Sequence, residues 1–245
     1  MHYLRSILFA TSVVILTIVV SLTVPFMWLF NAGSPTVRAV SQVWVRGIMF
    51  LFRIVLGLDY RQYGRDHVPD GPCIIACNHQ SLWETAALSA IFPDASIVAK
   101  KELSRLPIVG WFLQRYPMIL VDRAAGRHAL KQMVEEAKHA VAEGRKVLLF
   151  PQGTRQAVGE PLVFQAAGIS ALYTTLDVPV VPAACNSGLF WGKKTLMIHS
   201  GTVMLSYLPP IAPGLPRKHF QAMLERMISE ESERLVREGE AKVST

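Results

Sequence analysis

The first 30 residues contain the feature that most constrains the fold. From Ser6 to Phe30 the chain runs for 25 residues without a formal charge. About 20 apolar residues suffice to span a bilayer as a helix, whereas the apolar core of a signal peptide has roughly 7–15. We therefore predict a retained membrane helix, which Pro25 bends or ends near Val24. A cleaved signal peptide is the alternative.

A second helix is predicted over residues 36–57. Long or polar side chains recur there at intervals of three or four residues: Arg38, Gln42, Arg46, Met49 and Arg53. A basic stripe on an apolar helix is typical of an element at the lipid headgroups, and a helix that packs on the core with a solvated arginine face is the alternative. By the positive-inside rule, the basic residues after the first apolar run place the rest of the chain on the cytoplasmic side. A shallow hairpin is the alternative to a full span.

The net charge indicates which classes of partner the protein binds, and the cysteine content indicates which cellular compartment it occupies. The net charge of +7 suits nucleic acid or anionic lipid and phosphate. We find no nucleic-acid-reading motif, so we predict no nucleic-acid partner and favour membrane lipid. Three cysteines, Cys73, Cys77 and Cys185, are too few and odd in number for a disulfide framework and are typical of a reducing compartment.

From residue 58 onward, short apolar runs alternate with helical patterns. The predicted strands are 73–77, 96–99, 116–121, 146–150 and 178–183. The predicted helices are 81–90, 127–143, 166–176 and 217–243, and an edge hairpin is predicted from 195–200 and 203–208. Such alternation is typical of a covered parallel sheet. We therefore predict an α/β domain over 58–245, with a mixed, largely parallel sheet flanked by helices, behind a membrane-anchoring helical segment over 1–57.

Polar side chains follow four of the predicted strands directly. They are Asn78-His79, Lys100-Lys101, Asp122-Arg123 and the run from Gln152 to Arg155. Ligands of parallel sheets bind at the carboxyl ends of the strands. The sequence therefore predicts a single site at this edge of the sheet.

His79 and Glu84 are the candidate acid–base pair. A histidine can act as a general base near neutral pH, and a carboxylate can orient its ring. Residues five apart on a continuous helix point about 140° apart, so the two meet only if His79 lies in the turn before the helix. Ser81 and Glu84 form a Ser-x-x-Glu capping box that supports this geometry. In the alternative interpretation, Glu84 only caps the helix.

The run after the fourth strand is suited to binding phosphate. Gly153 permits close backbone approach, Thr154 offers a hydroxyl, and Arg155 can grip a phosphate with two parallel hydrogen bonds. Lys100 and Arg123 would add cations at the same edge. A solvated surface charge is the alternative for any one of them.

Four blocks of the chain together resemble the 1-acylglycerol-3-phosphate O-acyltransferases, a family of glycerolipid acyltransferases. Residues 78–84 resemble that family's Asn-His-x4-Asp block, and 150–155 resemble its Phe-Pro-Glu-Gly-Thr-Arg block. Residues 119–123 and the Val-Pro-rich run 178–183 resemble its second and fourth blocks. The four occur in the family's order and cover roughly residues 60–210.

The resemblance implies a membrane-bound enzyme on the cytoplasmic face of the inner membrane. His79 would deprotonate the free hydroxyl of 1-acyl-glycerol-3-phosphate, with Glu84 orienting the imidazole, and the oxygen would attack the thioester of acyl-CoA or acyl-carrier protein. The product would be phosphatidate, with no metal, cofactor or acyl-enzyme. The acceptor's phosphate would be held by a set of side chains and backbone groups: Lys100, Arg123, Gln152, Gly153, Thr154 and Arg155.

Two departures from the family's pattern leave alternatives open. Glu84 stands where the family has Asp, and Gln152 where it has Glu. Losing an anion beside Arg155 makes the pocket more positive, so we expect an anionic acceptor. Another lysolipid, such as a headgroup-bearing lysophospholipid or a lyso-ornithine lipid, is one alternative, and a non-catalytic lipid-binding relative is another. A hydrolase with Ser81 or Cys185 as nucleophile is a further alternative, but the sequence contains no Gly-x-Ser-x-Gly elbow.

Overall fold

A computed structural model describes residues 2–105, 109–116, 118–193 and 195–243 of the chain. The helices are α1 (His2–Ser21), α2 (Val24–Leu29), α3 (Ser34–Leu56), α4 (Trp83–Ile91), α5 (Val109–Arg115), α6 (Gly126–Ala142), α7 (Ala166–Leu176) and α8 (Arg217–Val243). The strands are β1 (Leu58–Tyr63), β2 (Ile74–Cys77), β3 (Ser96–Lys100), β4 (Ile119–Val121), β5 (Val147–Leu149), β6 (Val180–Cys185) and β7 (Gly201–Tyr207).

The seven strands form one sheet in the order β1-β7-β6-β2-β5-β3-β4. Strands β6, β2, β5, β3 and β4 are parallel to one another, whereas β7 is antiparallel to β6 and β1 is parallel to β7. The predicted mixed, largely parallel α/β fold is therefore confirmed. The carboxyl ends of the five parallel strands share one edge of the sheet, which we call the catalytic edge.

The alternation of side chains along β2 divides the core into two layers. Ile75 and Cys77 pack with the layer that contains α1, α3 and α4. Ile74 and Ala76 point the other way and pack with α6, α7 and α8. All four are completely buried, as expected of a central strand covered on both faces. Each of the two isoleucines contributes about 1.5–3 kcal/mol by its burial, which stabilises the strand that leads into the catalytic edge.

Two of the predicted elements were wrong in detail. The third strand is only β4, because Tyr116 belongs to the end of α5 and its backbone N–H donates to the carbonyl of Phe112 at 2.7 Å. The edge hairpin is absent: in the described part of 195–200 the backbone is irregular, and the N–H of Ile198 donates to the hydroxyl of Ser6 at 2.9 Å instead. Strand β7 pairs with β6 and β1.

The N-terminal helices form an antiparallel pair on the side of the domain. The rings of Phe9 and Phe52 lie 4.6 Å apart near one end of the pair, and Trp44 Nε1 donates to Thr17 Oγ1 at 3.0 Å farther along. Helix α1 ends before Thr23, and Pro25 lies in the first turn of α2, because proline fits there without losing a backbone hydrogen bond. The predicted interruption near Val24 is thus present.

Helix α3 lies between α1 and the domain. Arg38 forms an ion pair with Asp94 at 3.3 Å, and Gln42 Nε2 donates to the carbonyl of Ser89 at 2.9 Å. Arg53 also pairs with the domain, at 3.4 Å from Asp59 in β1, whereas Arg46 is exposed. The predicted stripe of α3 is therefore divided between contacts with the domain and an outer face that also exposes apolar residues, Val43, Phe50 and Ile54.

Within the described chain, two helical stretches are long and apolar enough to cross a membrane. They are His2–Leu29 and Ser34–Leu56. Large apolar side chains are exposed along the whole first stretch, from Leu4 at 72% to Leu29 at 68%. A surface of this size is typical of a protein that contacts a membrane or a partner.

Candidate active site

The turn that follows β2 is fixed to its neighbouring strand by Asn78. Its side chain is completely buried, donates through Nδ2 to the carbonyl of Cys185 at 2.9 Å, and accepts through Oδ1 from the N–H of the same residue at 2.8 Å. The Asn78 amide also donates to the hydroxyl of Ser232 in α8 at 3.0 Å, and that hydroxyl accepts from Gln80 Nε2 at 3.5 Å. The turn that presents His79 is therefore held by β6 and by the C-terminal helix.

Glu84 organises the rest of this turn. It is completely buried, and its Oε1 accepts from His79 Nδ1, Gln80 N and Ser81 N at 2.8, 2.7 and 2.8 Å. Its Oε2 accepts from the hydroxyls of Ser81 and Ser187 at 2.7 and 2.6 Å. One carboxylate thus caps α4 and holds the imidazole, so the two interpretations of Glu84 are compatible.

The protonation state of the pair follows from these contacts. Burial disfavours the ionised carboxylate, but the hydrogen bond and charge of His79 and the hydroxyls of Ser187 and Ser81 outweigh it, so the pKa of Glu84 lies below its ordinary value of 4.5. An ionised carboxylate can only accept, so Nδ1 of His79 carries a hydrogen. In the neutral imidazole the lone pair is then on Nε2, which has no hydrogen-bond partner among the described residues. This arrangement can accept a proton from a bound hydroxyl.

A second aromatic ring packs against the face of the imidazole. The imidazole stacks on the ring of Phe150, with centroids 4.3 Å apart and planes 19° apart. The His79 side chain remains 16% exposed. The ring is therefore oriented on two sides and still accessible at the catalytic edge.

Gln152 contacts the backbone of the catalytic histidine candidate. Its Oε1 accepts from the N–H of His79 at 2.6 Å, and its Nε2 donates to Gln156 Oε1 at 2.9 Å. Gln156 in turn donates its N–H to the carbonyl of His79 at 2.8 Å, and its Oε1 accepts from the N–H of Val163 at 3.1 Å. Gln152 is only 1% exposed. We call these three residues, His79, Gln152 and Gln156, the glutamine clamp.

The turn after β5 brings Arg155 next to His79. Gly153 has φ +67°, a left-handed conformation that glycine adopts without strain, and its N–H donates to the carbonyl of Phe150 at 2.9 Å. Thr154 is exposed and Arg155 is half-buried. With the described residues Arg155 forms neither an ion pair nor a hydrogen bond, so its guanidinium is available to an external anion.

The other basic candidates lie farther along the same edge. Neighbouring strands are about 4.8 Å apart, so Lys100 at the end of β3 and Arg123 after β4 are about 10 and 15 Å from His79 at the level of the backbone. Lys100 is exposed, and Lys101 pairs with Asp122 at 3.6 Å. The side chain of Arg123 lies outside the described part of the structure. His79, Glu84, Gln152, Gly153, Thr154 and Arg155 are thus brought together, with Lys100 at the periphery.

Three residues of the site were not predicted. Phe150 was part of the third block but had no assigned role, and its ring packing could not be inferred from spacing. Ser187 bonds Glu84 across 103 positions of the chain, and Gln156 reaches His79 across 77. A single serine or glutamine after a strand gives no indication in the sequence that its side chain or backbone makes such long-range contacts.

The nucleophiles of the hydrolase alternative are inaccessible. Ser81 and Cys185 are completely buried. The hydroxyl of Ser81 donates to Glu84 and accepts from the N–H of Trp83 at 3.0 Å. Neither side chain can reach an external carbonyl without rearrangement of the turn, which argues against this alternative.

Comparison with known proteins gives a consistent result. A family described as Acyltransferase matches residues 59–186. A 1-acyl-sn-glycerol-3-phosphate acyltransferase of Pseudomonas aeruginosa is 38% identical over 69% of this chain and 65% of its own length. The 1-acyl-sn-glycerol-3-phosphate acyltransferase of Saccharomyces cerevisiae is 26% identical over 69% of this chain and 57% of its own length. The human beta form is 31% identical over 63% of this chain and 56% of its own length. The matched part of the chain thus spans less than two thirds of these relatives.

One solved structure shares the fold. It is the crystal structure of the 1-acyl-sn-glycerophosphate (LPA) acyltransferase PlsC from Thermotoga maritima, with a TM-score of 0.76 and 22% identity over 96% of this chain and 98% of that one. At that identity the likeness concerns the fold alone. The family match over residues 59–186, which includes every block from His79 to the end of β6, shows that this chain belongs to the acyltransferase family.

Proposed function

We propose that this protein transfers a fatty acyl group from a thioester to the free hydroxyl of 1-acyl-glycerol-3-phosphate, giving phosphatidate. The observation that carries the proposal is the His79 imidazole, whose Nδ1 is held by the buried Glu84 at 2.8 Å while Nε2 is unpartnered among the described residues. Arg155, which has no ion pair with any residue that the structure describes, lies in the turn that the glutamine clamp ties to the same histidine. The names of the relatives support the choice of acceptor.

The reaction needs a base and then an acid at the same position. Nε2 of His79 would take the proton of the acceptor hydroxyl as its oxygen attacks the thioester carbonyl, and Glu84 would stabilise the imidazolium that forms. The tetrahedral intermediate would collapse with cleavage of the C–S bond, and the departing thiolate would receive the proton from Nε2. The donor would be acyl-CoA or acyl-carrier protein.

The acceptor's phosphate would lie against the turn after β5. Arg155 is the principal candidate ligand because it is half-buried and free of other ion pairs among the described residues. The backbone of Gly153 and the hydroxyl of Thr154 are beside it, and Lys100 and Arg123 would contribute charge from the neighbouring strands. Recognition of an anion in this way would favour lysophosphatidate over neutral lysolipids.

We further propose that the helix pair attaches the catalytic domain to the cytoplasmic face of the membrane as a shallow hairpin. Helix α3 contacts the domain near its start, through Arg38 and Asp94, and the N–H of Gly201 donates to the carbonyl of Gly57 just beyond its end at 3.0 Å. A helix packed on the domain over its length is not free to cross a bilayer. The exposed apolar face of α1 would then enter the near leaflet.

The proposal is tested by supplying different lysolipid acceptors with a radiolabelled acyl thioester. The assay uses membranes from a strain that lacks its own enzyme and expresses this protein. We expect lysophosphatidate to be acylated much faster than a neutral lysolipid. Equal rates would contradict the assignment of an anionic acceptor, and absence of transfer to every acceptor would indicate a non-catalytic relative.

Arg155→Ala is expected to raise the KM for lysophosphatidate roughly 10- to 100-fold, because a charge-assisted hydrogen bond contributes about 1.5–3 kcal/mol. The KM for the acyl donor should change little. Steady-state kinetics with each substrate varied in turn measures both constants. Arg237→Ala, which removes an exposed arginine of α8, is the matched control. Equal increases in the two KM values would remove Arg155 from the phosphate site.

We propose that Gln152 positions His79 and does not bind phosphate, since its burial and its two hydrogen bonds direct it at the protein. Gln152→Ala should lower kcat roughly tenfold and leave the acceptor KM nearly unchanged, because an unmade buried hydrogen bond costs about 1–3 kcal/mol. Gln152→Glu keeps an acceptor for the His79 N–H and loses the donor to Gln156, so it should retain more activity. If the Gln152→Ala variant had a raised acceptor KM and a normal kcat, Gln152 would have to be assigned to phosphate binding instead.

A further inference from the structure

The connection between β6 and β7 carries an exposed apolar tip. Leu196 is 87% exposed, the largest fraction of any large apolar side chain in the described chain, and Met197 beside it is 38% exposed. We call residues 195–199, which the structure describes throughout, the tip loop. Two adjacent large apolar side chains presented to solvent in this way are unfavourable unless something covers them.

The tip loop is held in place by contacts on both sides of the exposed pair. Trp191 Nε1 donates to the carbonyl of Thr195 at 3.2 Å, and the N–H of Met197 donates to Thr195 Oγ1 at 2.9 Å. The Trp191 ring packs 5.8 Å from that of Phe52 in α3. Ile198 is 3% exposed. The exposure of Leu196 is therefore a feature of a structured turn.

The tip loop adjoins the first turns of α1. The hydroxyl of Ser6, buried at 6% exposure, accepts from the N–H of Ile198, and the rings of His2 and His199 are 5.1 Å apart. The neighbouring residues of α1 on the outer side, Tyr3 and Leu4, are 64% and 72% exposed. Leu196 and Met197 thus extend the exposed apolar face of α1 from the helix onto the domain.

The same connection begins in the active-site turn. Ser187, its second residue, donates to Glu84 at 2.6 Å, and Gly188 donates its N–H to Gln80 Oε1 at 3.0 Å. Because β7 is antiparallel to β6, it begins on the side of the sheet where β6 ends, so the connection that carries Leu196 lies on the same side of the sheet as the catalytic edge. The apolar tip and the candidate catalytic histidine are therefore linked by a short stretch anchored at both ends.

The charge of the connection indicates which apolar partner covers the tip. Residues 186–201 contain two lysines and one histidine and no acidic residue. The guanidinium of Arg5 in α1 lies near Gly57, as does Ser200 at the end of this connection. Apolar side chains flanked by cations are suited to a bilayer with anionic headgroups, where each nearby lysine or arginine adds to the attraction.

We propose that the tip loop is a second membrane contact, which inserts Leu196 and Met197 into an anionic bilayer beside α1 and so sets the catalytic edge against the headgroup layer. The proposal rests on the proposed function for its purpose, because a lysolipid acceptor would then reach His79 without leaving the interface. The membrane contact itself does not depend on catalysis. This contact is made by residues of the domain and is separate from the contact made by the helix pair.

Insertion is measured directly with an environment-sensitive fluorophore on the full-length protein. Leu196→Cys is labelled, since the three native cysteines are buried, and the protein is placed in nanodiscs of phosphatidylcholine and phosphatidylglycerol. We expect a blue-shifted emission that lipids with a nitroxide in the upper acyl chain quench. Met223→Cys, on an exposed position of α8, is the control and should behave as in water. The same emission and quenching at both positions would overturn the membrane contact whether or not the protein is an acyltransferase.

The effect on catalysis is measured with the double variant Leu196→Ser/Met197→Ser. Acylation of lysophosphatidate in anionic vesicles should fall roughly tenfold, since burial of one such side chain changes a partition equilibrium by at least that factor. Activity toward a water-soluble short-chain lysophosphatidate in detergent should be unchanged. Leu215→Ser/Met223→Ser removes an exposed leucine (39%) and an exposed methionine (37%) elsewhere in the chain and is the control. Unchanged activity in vesicles, or an equal loss in detergent, would overturn the proposed placement of the catalytic edge.

Discussion

Replacing His79 with alanine is expected to lower kcat by about 10²–10⁴, because general-base catalysis by a positioned side chain contributes that much. The KM values should change far less, since Arg155 and the turn proposed to bind phosphate are untouched. The fold should persist, because Glu84 keeps four other hydrogen bonds, from Gln80, Ser81 and Ser187. Acyl transfer to lysophosphatidate in vesicles and the melting temperature of the purified protein measure the two effects separately.

An exposed histidine provides the control for this experiment. His219 on α8 is solvent-exposed, and His219→Ala should leave both kcat and stability unchanged. A loss of less than tenfold in the His79→Ala variant would mean that another group takes the proton. A comparable loss in both variants would point to a general effect on folding or membrane insertion.

Replacing Glu84 with glutamine is expected to lower kcat by at least about 10², because the imidazolium formed in the reaction loses its buried counter-charge. The amide oxygen can still accept from His79 and the backbone, and the hydroxyls of Ser81 and Ser187 can rotate to accept from the amide nitrogen. The turn should therefore keep its geometry. Glu84→Asp, which keeps the charge with one methylene fewer, separates the two requirements: it should retain more activity than Glu84→Gln if charge dominates.

The Glu84→Gln variant should also change how the stability of the folded protein depends on pH. Because the pKa of Glu84 in the folded protein lies below its ordinary value of 4.5, the ionised carboxylate stabilises the fold fully above that value, and the stabilisation is lost as pH falls through the folded pKa. Glutamine has no such dependence. The difference in melting temperature between the wild type and Glu84→Gln should be largest near neutral pH and should shrink as pH falls below 4.5. A difference that stays constant down to pH 3 would contradict a depressed pKa for Glu84.

The sequence predicts elements well where a single local pattern decides them. The helix over 166–176 has the predicted bounds, because its apolar spacing and flanking residues act within a few positions. The strand over 116–121 was too long, because an apolar run cannot distinguish the end of α5 from the start of β4. Strand β1 was missed, since only Leu58 of its six residues is buried and the outer part is solvated.

The candidate site follows the same division between local and long-range information. The His79–Glu84 contact is local and was predicted from the capping box. The burial of Gln152 and its bond to the backbone of His79 depend on β2 and β5 becoming neighbours, although two strands are formed between them in the chain. The family resemblance therefore placed Gln152 among the phosphate ligands, whereas the structure directs both of its polar atoms at the protein. Ser187 depends on β6 in the same way.

The hydroxyl of Ser232 makes the turn that carries His79 depend on α8. Its bonds to Asn78 and Gln80 join groups that lie 154 and 152 positions apart in the chain. Such long-range contacts exist only while α8 is packed against the sheet. Local opening of α8 is therefore expected to displace His79 before the sheet itself unfolds.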